Sequence, residues 1–227
     1  PATHRFVDLF CGAGGLSLGL AAAGLEHGLG VDLDEDAVAT YSKNVSSDVL
    51  CADISSPSVR EEIESVCGDK PFVIAGGPPC QGFSQQRRGE DSDERNDLVL
   101  AYANLVRSLS AAPSAVILEN VMYLDSPRGR AIYKRFVSEL ESMGYAVHRH
   151  DLNSADFGVA QLRRRIVIVA LRQEVAARYS GPMPLTAERY LTIGEALDGL
   201  ATVPDLNIPN HIAANEQGIN ARRIAFV

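Results

Sequence analysis

An open, doubly wound α/β sheet, mostly parallel and of about seven strands, is the architecture this sequence predicts, and three observations predict it. Seven short apolar, β-rich runs recur with helix-forming stretches between them, the alternation that generates crossover connections and a parallel sheet. Several runs, FVIAG and AVIL among them, are apolar on both faces, as a strand covered by helices on both sides must be. The first run leads into a glycine-rich turn that opens a helix, FCGAGGLSLGL, the junction at which such sheets bind ligands.

In chain order the strands are RFVDLF (5–10), GLGVDL (28–33), DVLCAD (48–53), FVIAGG (72–77), AVILEN (115–120), AVHRHD (146–151) and RIVIVAL (165–171). Residues 15–24 are rich in Leu and Ala and end at Gly24, a helix followed by its stop. Ser56 and Pro57 read as the cap and first position of a helix over 57–66. Residues 131–143 place Ile132, Phe136, Leu140 and Met143 on one helical face. The stretch GGPPCQGFS (76–84) suits neither a helix interior nor a central strand and reads as a loop held in one shape. Residues 81–96, QGFSQQRRGEDSDERN, are polar and aperiodic, either a solvated loop or a lid beside Cys80. TIGEALDGL (192–200) reads as a short helix, and Pro204 and Pro209 bracket a loop.

At 227 residues, 46% hydrophobic and 22% charged, the chain suits one globular domain with a substantial core. No apolar run approaches the roughly 18 residues of a membrane span and no basic-then-apolar leader opens the sequence, so a soluble cytoplasmic protein is expected. Cys11, Cys51, Cys67 and Cys80 lie far apart without a C-x-x-C pair, which disfavours a zinc site and a disulfide framework and predicts reduced thiols. The five histidines show no ligand spacing, and no metal is expected. A net charge of −8, with 17 basic and 23 acidic groups in residues 1–172, argues against gripping nucleic acid over the whole surface.

Gly12 and Gly14 allow a tight turn and a close backbone approach, and free N–H groups at the helix start can hold an anionic end of a ligand. Asp32 stands twenty residues after Gly12, at the end of the second strand, where a carboxylate accepts hydrogen bonds from ribose hydroxyls. The pair indicates an adenosine-type cofactor. Ser17 replaces the third glycine of the dinucleotide fingerprint, which disfavours NAD and FAD, and no G-K-[ST] follows. Asp53, ending the third strand, reads equally as an adenine contact or a helix cap. Ligands of doubly wound sheets gather at the carboxyl ends of the strands, so Cys80 after the fourth strand and Glu119 ending the fifth converge there. A lone cysteine is usually an inert small hydrophobe and a lone strand-end carboxylate a cap. Together, beside an adenosine site, they become a candidate nucleophile and acid. Gln161, Arg163 and Arg165 alternate onto one side as the chain enters its last strand, with Arg165 at the mouth, either bracing a carboxylate and gripping oxygens or forming an ordinary charged strand entrance.

In this order the pieces resemble the C5-cytosine-specific DNA methyltransferase family over about residues 5–172: DLFCGAGG, Asp32, ADI (52–54), GGPPCQGFS, ENV (119–121) and QLRRR (161–165). PPCQ, ENV and Q-x-R-x-R together are highly specific, and amino-methylating relatives end the loop with an aromatic where Cys80 stands. The resemblance implies a Rossmann-like, S-adenosylmethionine-dependent methyltransferase fold, S-adenosylmethionine as cofactor with S-adenosylhomocysteine as product, and no metal. It implies methyl transfer to C5 of cytosine in double-stranded DNA, through a covalent bond between Cys80 and C6 of a flipped base. On that resemblance Cys80 is the nucleophile, Glu119 holds or protonates N3, Arg165 assists at O2 and orders Cys80, and Arg163 supports the site. Gln81, Ser84, Arg163 and Arg165 would touch the nucleic acid. The cofactor pocket would comprise Phe10, Gly12, Ala13, Gly14, Gly15, Leu16, Asp32, Leu33, Asp53, Ile54 and Leu98, with residues 81–96 closing over the base. Leu33 stands where many relatives carry an aromatic.

The same resemblance implies a catalytic domain over 1–172 and, over 173–227, a C-terminal extension leading toward a target recognition domain. The 55 residues after 172 are too few for the recognition and closing segments, which would come from a C-terminal region or a second subunit and would carry the basic DNA-reading surface. The expected setting is a restriction-modification system in the cytoplasm, associated with the nucleoid in a prokaryote. A tRNA cytosine methyltransferase and a non-catalytic regulatory paralogue are alternatives within the resemblance. An NAD-binding module is the alternative outside it.

Overall fold

The computed structural model describes residues 4–79, 98–185 and 189–198. Its strands are β1 (Arg5–Leu9), β2 (Glu26–Asp32), β3 (Val49–Cys51), β4 (Phe72–Gly76), β5 (Ala115–Asn120), β6 (Tyr145–Asn153) and β7 (Arg164–Arg172). The helices are α1 (Gly15–Ala22), α2 (Glu35–Asn44), α3 (Pro57–Cys67), α4 (Leu98–Ser108), α5 (Pro127–Ser142), α6 (Gln173–Ala176) and α7 (Ile193–Leu197). Each of the seven runs read as strands is one, and they form a single sheet in the order β3-β2-β1-β4-β5-β7-β6.

The pairs β1/β2, β1/β4, β2/β3 and β4/β5 are parallel, whereas β7 runs antiparallel to both β5 and β6. Connection length explains the exception. A parallel return needs a crossover of a dozen residues or more, and only residues 154–163, partly a single 3-10 turn, separate β6 from β7. The reversal brings the start of β7 beside the end of β5, where Ile166 pairs with Asn120 and Val167 with Glu119.

The central strand β4 is buried at every position, as its uninterrupted apolar sequence requires. Alternation along β1 sends Val7 and Leu9 to the face packed by Val59 and Ile63 of α3, Tyr102 of α4, and Phe136 and Leu140 of α5. Phe6 points to the opposite face, with Val73, Ala115, Leu171 and the flanking Leu20 of α1. The buried Tyr102 hydroxyl lies 3.0 Å from the carbonyl oxygens of both Ile74 and Ile117, tying α4 to β4 and β5.

Helix boundaries differ from expectation in two places. Ser56 does precede Pro57, but its hydroxyl meets Ser58 Oγ at 2.8 Å and caps no backbone amide. Helix α5 starts four residues earlier than its apolar face suggested, because Ser126 Oγ accepts from the Gly129 amide at 3.0 Å and Pro127 takes the first turn. The short helix read within 192–200 is α7, opened by a capping box between Thr192 and Glu195. Among the described residues no helix is long and apolar enough to cross a membrane.

Candidate active site

Strand order reverses between β1 and β4, and a cleft of about 650 Å³ opens there at the carboxyl ends of the parallel strands. Four strand ends contribute: Phe10 after β1, Asp32 to Asp34 at the end of β2, Ala52, Asp53 and Ile54 after β3, and Gly77 and Pro79 after β4, joined by Leu98 opening α4. Six of the residues proposed from sequence for the cofactor pocket, Phe10, Asp32, Leu33, Asp53, Ile54 and Leu98, thus line one cavity.

The turn is built by unusual backbone. Phe10 holds φ 57° and Gly12 φ 54°, and the Gly12 amide donates to Asp32 Oδ2 at 2.8 Å. Asp32 Oδ1 accepts from the Asp34 amide at 3.0 Å, so the carboxylate is fixed while a lone pair on each oxygen is left for a ligand. Gly14 has a packing role of its own. It is buried, and a Cβ there would fall 2.3 Å from Val45 Cγ2 of the α2 cap. Ala13, Gly15 and Leu16 follow in the turn and first turn of α1 and are not among the cleft-lining residues. Asp53 lines the cleft, and its Oδ1 accepts from the Ser55 amide at 2.7 Å in the turn before α3, whose N-cap position is Ser56. Leu33 is 69% exposed, a large apolar surface at the cleft mouth.

Beside this cleft stands a charged pair. Arg165 Nε lies 2.8 Å from Glu119 Oε1, with side-chain exposures of 21% and 35%. The Nε–H bond is not aimed along that contact, so the two form an ion pair without a well-directed hydrogen bond. Only the antiparallel course of β7 makes the pair, since a parallel β7 would carry Arg165 to the other end of the sheet. Gly77 runs past the same carboxylate, and a Cβ on it would stand 3.4 Å from Glu119 Oε2. Of Gln161, Arg163 and Arg165 only the last lies in β7. Gln161 and Arg163 precede it, exposed, the Arg163 amide donating to Asn153 Oδ1 at 3.0 Å.

One residue of the site was quoted in ENV without a role. Asn120 is buried and donates from Nδ2 to the Pro78 carbonyl at 3.1 Å, pinning the proline loop to the end of β5. An amide directly after a strand-end carboxylate was the signal. Cys80, Gln81, Ser84 and the lid segment 81–96 lie outside the described residues, as does the loop at Pro204 and Pro209. Cys11, the thiol next to the turn, is buried, and burial with help from Asp8 and Asp32 pushes it up to about 12. It is a neutral packing group at any physiological pH. Among the described residues no group of three or more His, Cys, Asp or Glu is placed to hold a metal ion.

Comparison with known proteins places these features in one lineage. The family model described as C-5 cytosine-specific DNA methylase matches residues 4–216. Type II methyltransferase M.NaeI of Lentzea aerocolonigenes is 38% identical over 195 residues, covering 86% of this chain and 46% of its own. Type II methyltransferase M1.HphI of Haemophilus parahaemolyticus is 33% identical over 232 residues, covering 98% and 60%. The chain therefore spans about half the length of the curated relatives it matches. Among solved structures, one described as a DNA modification methyltransferase encoded within an E. coli prophage superimposes with a TM-score of 0.72 at 26% identity, covering 89% of this chain and 57% of that one. A family match running through the glycine turn, the strand-end acid, the proline loop and the Glu119–Arg165 pair leaves one conclusion: the chain belongs to the C-5 cytosine-specific DNA methylase family.

Proposed function

We propose that residues 1–172 form the S-adenosylmethionine-binding catalytic domain of an enzyme that methylates C5 of cytosine in double-stranded DNA. Residues 173–227 would lead on toward the recognition region, which a C-terminal stretch or a second subunit supplies. One observation carries this reading. A single cleft is bordered by Asp32 and Leu33 on one side and by Pro79, the residue before Cys80, on the other, with Glu119 and Arg165 paired beside Gly77.

The residues present fit the cofactor. Asp32 is held with a free lone pair on each oxygen for two ribose hydroxyls, Leu33 and Ile54 offer apolar surface to adenine, and Asp53 offers an acceptor for its amine. Asp32, Asp34 and Asp53 also give the cleft a negative lining, which favours a cationic ligand. When bound, S-adenosylmethionine supplies an electrophilic methyl group on a sulfonium sulfur.

Cytosine C5 is too poor a nucleophile to take that methyl unaided, which is the work of the protein. The Cys80 thiolate adds to C6, forming an S–C6 bond and pushing the C5=C6 electron pair toward C5. Glu119 passes a proton to N3, neutralising the charge the addition creates, and Arg165 steadies both the Glu119 carboxylate and the O2 side of the ring. Once C5 carries the methyl, a base removes the C5 proton, the double bond re-forms, the S–C6 pair returns to sulfur as thiolate, and N3 hands its proton back to Glu119. The target atom is unreachable in a stacked duplex, so the base is flipped into the cleft, with Gln81, Ser84 and Arg163 among the contacts to the strand and residues 81–96 closing over it.

The test is transfer of labelled methyl from S-adenosylmethionine to duplex DNA and to tRNA, by the chain supplied with its recognition region. Label at cytosine C5 of the duplex is expected. Label confined to tRNA would overturn the substrate assignment.

A further inference from the structure

Behind the glycine turn lies a file of four polar side chains that the proposed reaction does not use. Asp8 of β1 is 1% exposed, and Ser17 of α1 and Tyr41 of α2 are wholly buried. Ser17 Oγ lies 2.6 Å from Asp8 Oδ2 and 2.6 Å from the Tyr41 hydroxyl, which in turn lies 2.8 Å from His27 Nε2 of β2. The file joins the four elements that carry the Gly12 turn and Asp32. Asp8 Oδ1 and His27 Nδ1 are buried without hydrogen-bond partners, and the Ser17 amide acts on Asp8 beside its hydroxyl.

Proton inventory fixes its sense. An ionised Asp8 only accepts, so Ser17 donates to it, Tyr41 donates to Ser17, and His27 donates from Nε2 to Tyr41. A neutral Asp8 that donates from Oδ2 to Ser17 frees the Ser17 proton, which lets the remaining links reverse: Ser17 donates to Tyr41, and Tyr41 to a His27 protonated on Nδ1. The backbone is shaped around this file. A Cβ on Gly30 would stand 2.8 Å from Tyr41 Cζ, and one on Gly14 would stand 3.1 Å from Tyr41 Cδ2. Two glycines on either side of Tyr41, one at the mouth of α1 and one in β2, therefore seat its ring.

We propose that Ser17 and Tyr41 are positioning residues for the cofactor site: through Asp8 and His27 their hydroxyls hold the Gly12 turn and Asp32 in the one arrangement in which the Gly12 amide reaches the Asp32 carboxylate. This rests on reading the cleft as the S-adenosylmethionine site. The groups facing Asp8 are Ser17, Asp32, Cys11, Tyr41 and Tyr102; those facing His27 are Tyr41, Phe6 and Asp48. Burial lifts Asp8 to about 6, with the Ser17 hydroxyl and amide pulling it back and Asp32 adding a smaller push. Burial holds His27 below its ordinary value, opposed by Asp48. The charge-assisted form of the file, the stronger one, is present above about pH 6 and gives way to the reversed form below it.

The experiment is calorimetric titration of S-adenosylhomocysteine into the full chain at pH 7.5 and 5.5, for wild type, Tyr41→Phe and Ser17→Ala, with nitrogen NMR of the His27 ring alongside. Tyr41→Phe keeps the ring in its seat and is expected to bind about tenfold more weakly at pH 7.5, about 1.4 kcal/mol; Ser17→Ala serves if that variant fails to fold. Wild-type His27 is expected to carry its proton on Nε2 at pH 7.5 and on Nδ1 at pH 5.5, a switch that both variants lose. Wild-type-like affinity in both variants overturns the positioning role alone, and a His27 tautomer that ignores pH overturns the reversal. A wild type that binds no S-adenosylhomocysteine overturns the cofactor reading beneath it.

Discussion

Cysteine illustrates how far single residues could be read. Cys11 and Cys80 both stand in glycine-rich stretches, and PPCQ already singled out Cys80; burial and two carboxylates keep the Cys11 thiol protonated, whereas Cys80 follows Pro79, which borders the cleft. Cys80→Ala is expected to abolish methyl transfer while cofactor affinity, measured by calorimetry, stays within about twofold. Glu119→Gln keeps the shape but cannot deliver a proton, and a loss of roughly a hundredfold or more in single-turnover rate is expected. Asp8 was legible only as the first letter of a motif, because the sequence does not reveal that Ser17 and Tyr41 meet it. Its value is about 6 in the folded protein against an ordinary 3.8, so the native state binds more protons in that window. Stability from this group is greatest below about pH 4, falls as pH rises, and the cost of roughly 3 kcal/mol is complete above about 6. Chemical denaturation of wild type and Asp8→Asn at pH 4 and 7 should show the wild type losing about that amount relative to the variant. A constant difference would contradict the assignment.

At the level of elements, composition located the strands of the described residues, most plainly β4, which is buried throughout and has no polar face to disguise it. Strand direction was not legible in the same way. The reversal of β7 follows from the short 154–163 connection, and it decides which end of the sheet Arg165 reaches. Caps were half legible, for the same reason that propensity is not contact. Ser56 and Ser126 both precede Pro, yet only Ser126 bonds an amide of its helix. Ser126→Ala is therefore expected to cost about 1 kcal/mol and Ser56→Ala less than about half of that, read from denaturant midpoints.

Over the whole molecule, the acidic balance and the family's DNA substrate are reconciled if strand contacts concentrate near the Arg165 side of the cleft and in the recognition region, leaving the rest of a −8 surface to repel phosphate. The fold and the cofactor side of the site were readable from the order of motifs, since each sits at a strand end and strand ends share one edge. What joins them was only partly legible: Arg165 read as able to brace a carboxylate, but Asn120 to Pro78 is a contact between distant segments that no spacing announces. The claim on which the rest depends is covalent attack by one thiol. It is tested most directly by incubating the chain and its recognition region with S-adenosylmethionine and a duplex bearing 5-fluorocytosine, then mapping the trapped peptide by mass. The account predicts a stable protein–DNA adduct, with methyl on the ring, attached at Cys80; an adduct at any other residue, or methylation by the Cys80→Ala variant, would contradict it.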